Sequence, residues 1–203
     1  MTVGYSKGEM VYFSRKLKQA VRAVVQKGMY EVYVVRLKVG ACDEKQLKES
    51  VDMMFLAWRM INVKRRAGMM KKYAGILRRC LIEYDSESGL YTPELYLICL
   101  KKSLVAADEY KSWLRVHVEW LSAWCTALGF YAEDITPLVL GITSEDLLMN
   151  ALAHFFSEKK YSFYSDLQEK QLCLIKTCMG LHKVVAFSGV FKQAMNRHVA
   201  VER

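Results

Sequence analysis

Proline is scarce in this 203-residue chain, with 2 residues, and glycine is sparse, with 11. With 53% hydrophobic residues, that scarcity argues against disorder and against a loop-rich sandwich. No apolar run approaches the roughly 18–20 residues of a membrane span, so no membrane partner is expected. The N-terminal stretch MTVGYSKGEMVYFSRKLKQ places charges where a signal peptide needs a continuous apolar core. The six cysteines, Cys42, Cys80, Cys99, Cys125, Cys173 and Cys178, include no CxxC pair. They are expected as reduced core thiols of a cytoplasmic protein. Neither GxGxxG nor a Walker-type phosphate loop occurs, and Phe187-Ser188-Gly189 lacks the glycine pattern of a nucleophile elbow. The histidines are His117, His154, His182 and His198, and no two stand at ligand spacing on one helix. No cofactor or metal is therefore expected.

Positive charge is what the chain does have, at a formal net +9. Between Arg59 and Ile82 lie Arg59, Lys64, Arg65, Arg66, Lys71, Lys72, Arg78 and Arg79, with no acid among them. That one stretch accounts for nearly all of the excess. A concentrated basic stripe attracts polyanions through phosphate contacts and counterion release, whereas a solvated turn is the plain structural alternative.

The length fits one domain, residues 1–203, with a core of ordinary size. Apolar residues at 3.6-residue spacing predict a first helix over residues 9–27, within an N-terminal segment 1–28. Residues 32–39 alternate as a strand. Tyr33, Val35, Leu37 and Val39 form one face, and Val32, Val34, Arg36 and Lys38 form the other. The second face turns basic, as suits an antiparallel sheet with one face open to a ligand or another layer. Asp43 can cap a helix running to about Ile61, with an apolar stripe of Leu47, Val51, Met54, Phe55 and Trp58. Two β-rich runs, residues 76–84 and 94–100, flank a polar gap with Asp85, Ser86, Ser88 and Gly89, the signal of a hairpin. Glu83 and Glu94 can approach one another across it, as surface pairs do. Residues 107–128 form a long helix with Tyr110, Trp113, Leu114, His117, Leu121, Trp124, Cys125 and Leu128 on one broad face. A short strand at 135–140 follows. Ser144 caps the next helix, and another covers 164–179. The order reads as an α+β domain, a central antiparallel sheet covered by long amphipathic helices. Its β-α-β-β-α-β core is the ferredoxin-like pattern.

Five segments, in order, resemble the replication initiators (Rep proteins) of rolling-circle plasmids, in the HUH endonuclease superfamily. VYVVRLKV resembles the family's first motif strand, and Gly75-Ile76-Leu77-Arg78 its "GYLR" entry to the next. Tyr91-Thr92-Pro93-Glu94-Leu95-Tyr96 resembles the "YHPHFH" metal motif. Residues 119–128 resemble the helix that follows, and residues 184–192 are similar to the closing "GFSGLFK" segment. The resemblance covers residues 32–198 and implies the palm-like, ferredoxin- or RRM-like sheet of those domains. In that family two His side chains on one strand hold a divalent metal that polarises a phosphate. A tyrosine on a later helix attacks it and becomes linked to DNA.

This chain departs from the family at each of those places. The metal positions correspond to Thr92, Glu94 and Tyr96. The E-x-x-x-Y helix corresponds to Ala151 through Phe155, which puts Ala151 at the acid and Phe155 at the nucleophile. Tyr161 and Tyr164 are the candidates for a displaced nucleophile. The expectation is a catalytically inactive Rep-like protein of a plasmid, phage or other mobile element. It would bind DNA in preference to RNA and regulate replication without nicking. Arg36, Lys38, Lys64, Arg65, Arg66, Lys71, Lys72, Arg78 and Arg79 would contact phosphates, and Tyr96 would stack on a base. The alternative is a Rep-fold interaction protein, a decoy or inhibitor of a host or defence complex, whose stripe docks an acidic protein surface.

Overall fold

A computed structural model describes Gln19, Arg22, residues 30–62, 68–102, 109–130, 133–156 and 169–180, His182, and residues 184–193. Most of the expected first helix lies outside the described residues. So do Lys64, Arg65, Arg66, Tyr161 and Tyr164.

Among the described residues the helices and strands are β1 (Tyr30–Lys38), α1 (Leu47–Ile61), β2 (Gly75–Asp85), β3 (Leu90–Lys102), α2 (Glu109–Leu128), β4 (Leu138–Ile142), α3 (Glu145–Phe156), α4 (Glu169–Met179) and β5 (Val185–Phe187). The five strands form one sheet in the order β4-β1-β3-β2-β5. Every pairing is antiparallel. The fold is therefore α+β. Its first four strands have the connectivity and order of a split β-α-β, with β5 added on the outer side of β2.

Local chemistry sets the element ends. Asp43 Oδ1 accepts the amides of Lys45 and Gln46, each at 2.9 Å, and α1 starts just beyond. Ser144 Oγ accepts the Leu147 amide at 3.2 Å and caps α3. At the β2–β3 turn, Asp85 Oδ2 accepts the Ser88 hydroxyl at 2.6 Å, and Gly89 takes a positive φ of 71°.

Strand alternation sends side chains to two cores. On one face Tyr33, Val35, Leu37, Leu95, Leu97 and Cys99 pack beneath Leu47, Val51, Met54, Phe55 and Trp58 of α1 and Val116, Trp120 and Trp124 of α2. On the other, Val32, Val34, Leu77, Leu81, Tyr96, Ile98 and Leu100 meet Leu148, Ala151, Leu152 and Phe155 of α3, with Phe191. The basic-ended face of β1 is thus covered by another layer rather than left open. The buried line on α2 differs from expectation in part. Trp124 is buried as expected, with Trp113 and Leu128 packed against the core, but Val116 and Trp120 also face inward and Leu114 is 42% exposed. Helix α2 is apolar on more than one side, so periodicity alone could not choose its inner face. All six cysteines are free thiols, but Cys173 is exposed rather than in the core.

The closing segment clamps the start of β2. The Val190 amide donates to the Ala74 carbonyl at 2.9 Å, and the Ser188 amide to Ile76 at 3.0 Å. Gly189 takes a φ of 57°, and a Cβ there would land on the Ala74 carbonyl oxygen. Only glycine meets both demands.

Candidate nucleic-acid interface

Because β-strand side chains alternate, the consecutive Arg78 and Arg79 point to opposite faces. Neither reaches the surface. Arg78 is 8% exposed, and its guanidinium lies over the rings of Phe55 and Trp58, at 5.0 and 5.4 Å from their centroids. Burial pulls its pKa below the ordinary arginine value. Arg79 is 3% exposed and donates to the Phe155 carbonyl at the end of α3. The two arginines hold helices to the sheet and are not presented to phosphate. This corrects their place among the expected contacts.

Arg36 is also committed. Its Nη2 and Nε donate to Glu94 Oε2 at 2.5 and 3.0 Å, and Nη2 also reaches Glu83 Oε1 at 3.3 Å. Glu83 and Glu94 do approach one another across the hairpin, with Arg36 of the neighbouring strand bridging them. The Glu94 side chain is wholly buried. Burial alone would lower the Arg36 pKa, but the attraction of Glu94 and then Glu83 outweighs it and holds it above the usual value. Lys38 stands opposite Glu94 in the register and is half-buried.

The positions matched to the metal motif, Thr92, Glu94 and Tyr96, share one face of β3. They do not fit a metal. The single carboxylate is already neutralised by a guanidinium, and Thr92 offers only a hydroxyl. The Tyr96 phenol is pushed up to about 12 by burial, against the pull of Arg36, and stays protonated. Among the described residues no group of three or more His, Cys, Asp or Glu side chains is arranged to hold a metal ion.

Helix α3 lies directly on this strand. Tyr96 contacts His154 and Phe155, with ring centroids 4.8 and 6.1 Å apart. The structure therefore brings together the positions that the resemblance matches to metal ligands and nucleophile. Both are filled with packing side chains, and Phe155 is fully buried. Tyr96, at 4% exposure, has no free ring face for a base.

Among the described residues, the exposed remainder of the basic stripe is Arg59 at the end of α1 and Lys71 and Lys72 in the 3-10 turn Met69–Lys72. Lys72 Nζ lies 3.5 Å from Glu119 Oε1 of α2. Arg115, on α2, is exposed too. Between α1, the 3-10 turn and α2 runs a cleft of about 800 Å³, lined by Met60, Ile61, Met69, Leu114 and Val118, with Lys72, Arg115 and Glu119 also on its wall. The expected sites gave no sign of this cleft, although the surplus apolar residues of α2 were its signal.

No family model, curated protein or solved structure matches the chain. No described helix is long and apolar enough to cross a membrane.

Proposed function

We propose that the protein binds nucleic acid, DNA in preference to RNA, without cutting it, on a Rep-like scaffold whose reaction centre has been replaced by packing. The observation that carries the non-catalytic part is the Arg36–Glu94 pair beneath Tyr96, His154 and Phe155. It fills the place where metal and nucleophile would act. Binding is assigned to the exposed cations Arg59, Lys71 and Lys72, which flank the sequence run Lys64, Arg65 and Arg66. Regulation of replication by occupying an origin or single strand follows from such binding without chemistry.

The test is fluorescence anisotropy with a labelled oligonucleotide across a salt series. Replacing Lys71 and Lys72 by Gln should weaken binding across all sequences. It should also flatten the dependence of log K on log salt by up to about 2. An unchanged slope and affinity would refute the assignment.

A second reading makes the fold a docking scaffold for protein, as a decoy or inhibitor would be. It is favoured by the cleft, whose apolar floor does nothing for phosphates and, among the described residues, carries no aromatic side chain on which a base could stack.

A further inference from the structure

The sequence keeps acids out of the basic stripe, and the fold puts one back. No Asp or Glu occurs between Arg59 and Ile82, yet α2 carries Glu119 to the wall of the cleft beside Lys72. Glu119 Oε1 lies 3.5 Å from Lys72 Nζ. A carboxylate in that place works against a polyanion, because it offsets the cation that a phosphate would meet. The two side chains are 25% and 41% exposed. An incoming phosphate can therefore compete for Nζ from solvent, where such a pair is weak.

The carboxylate is otherwise poorly served. Among the described residues its Oε2 is buried and accepts no hydrogen bond. Two buried donors, the Tyr73 hydroxyl and the Trp120 indole N–H, are equally unused. Each is the chain neighbour of one member of the bridge, since Tyr73 follows Lys72 and Trp120 follows Glu119. Their ring centroids are 5.7 Å apart, and both residues are buried. Burial, and after it the nearby Cys99 and Glu119, push the Tyr73 phenol above its ordinary range, while the Trp120 N–H pulls the other way. The phenol, the indole and the carboxylate are thus close neighbours, although by geometry neither donor completes a hydrogen bond. Unused buried polar atoms are costly, and here two donors and one acceptor would satisfy one another if the carboxylate moved inward.

We infer that Glu119 gates Lys72 in the proposed nucleic-acid site, with Tyr73 and Trp120 as the second seat of the gate. In the free protein the carboxylate faces Lys72. When a phosphate takes Nζ, the carboxylate turns inward and accepts from the Tyr73 hydroxyl and the Trp120 N–H. The hydrogen bonds gained inside offset the pairing given up outside, and the negative charge withdraws from the phosphate. Glu119 acts through Lys72 and is a positioning residue. The inference rests on the nucleic-acid reading and adds to it the control of one of its cations.

The experiment is a double-mutant cycle read by anisotropy of a labelled oligonucleotide at low and high salt, with urea unfolding of each variant measured beside it. Glu119→Gln should tighten binding roughly two- to fivefold at low salt, the range of a released surface ion pair, and less at high salt. In a Lys72→Gln background the same substitution should change nothing, since the cation it acts through is gone. Tyr73→Phe removes a hydroxyl that makes no hydrogen bond in the free protein, so its urea midpoint should equal or exceed that of wild type. Its binding should nevertheless weaken, because the inner seat is lost. A gain from Glu119→Gln that survives without Lys72 would be a general charge effect and would overturn the inference. So would a Glu119→Gln protein that binds no tighter than wild type, or a Tyr73→Phe protein that binds as wild type does. Wild type that fails to bind at low salt would overturn the nucleic-acid reading itself, and the gate with it.

Discussion

A wholly buried Glu94 needs a cation, and Arg36 supplies one. Removing one partner of such a pair leaves a charge in low dielectric, whereas removing both with apolar replacements is close to neutral. Arg36→Met should therefore cost about 3–5 kcal/mol in urea unfolding, and Arg36→Met with Glu94→Leu should return to within about 1 kcal/mol of wild type. Losses that simply add would show that the pair is not coupled. Tyr96 provides a pH test of the same packed site. Its folded pKa, about 12, lies above the ordinary tyrosine value of about 10. A raised folded pKa gives stability that is complete below pH 10 and lost as pH rises towards 12. Tyr96→Phe should make the alkaline loss of stability shallower in that window, followed by circular dichroism. The sequence showed which residues were basic but not which were available. Arg78 and Arg79 were counted with a stripe, although the alternation of a strand had to send one of them under α1 and the other under α3. That much was readable from the hairpin. The covering of both faces was not, because the second layer comes from α3, more than sixty residues further on.

Helices and strands were legible where one pattern dominated. The stripe of α1 and the alternation of β1 gave both elements to within a few residues, and Ser144 marked the start of α3. The inner face of α2 was read only in part: Trp124 is buried as expected, but Leu114 fits a helical stripe as well as Val116 and Trp120 do. Tertiary contact chose between them. The tail was harder still, since β5 has only three residues and exists because it pairs with Leu77, Arg78 and Arg79. Its position depends on Gly189. In Gly189→Ala the added methyl meets the Ala74 carbonyl in a backbone conformation that alanine disfavours. Overpacking and the left-handed strain together should cost about 3–5 kcal/mol. The expected outcome is a lower urea midpoint with an unchanged slope. A midpoint equal to wild type would mean that the closing segment is not held against β2.

Taken across the chain, two covered faces leave this α+β sheet no open palm on which to thread a nucleic acid across the strands. Among the described residues, the exposed cations of the basic stripe sit instead at the end of α1 and in the 3-10 turn after it. The expected α+β fold is the one observed, whereas Arg78 and Arg79 are buried and Arg36 is paired with Glu94 instead of lying open to phosphate. The fold class followed from the order of elements, which is a local signal repeated along the chain. The site depended on which charges satisfy one another, which is set by long-range pairing across three strands. The most direct measurement is binding of the purified protein to fluorescent single-stranded, hairpin and duplex oligonucleotides over a salt series with Mg²⁺ or Mn²⁺, each sample also being run on a denaturing gel. Affinity that falls as salt rises, with every oligonucleotide intact, is the predicted result. Cleavage with a covalent protein–DNA adduct would contradict the proposed non-catalytic reading, and no binding at low salt would contradict the proposed nucleic-acid binding.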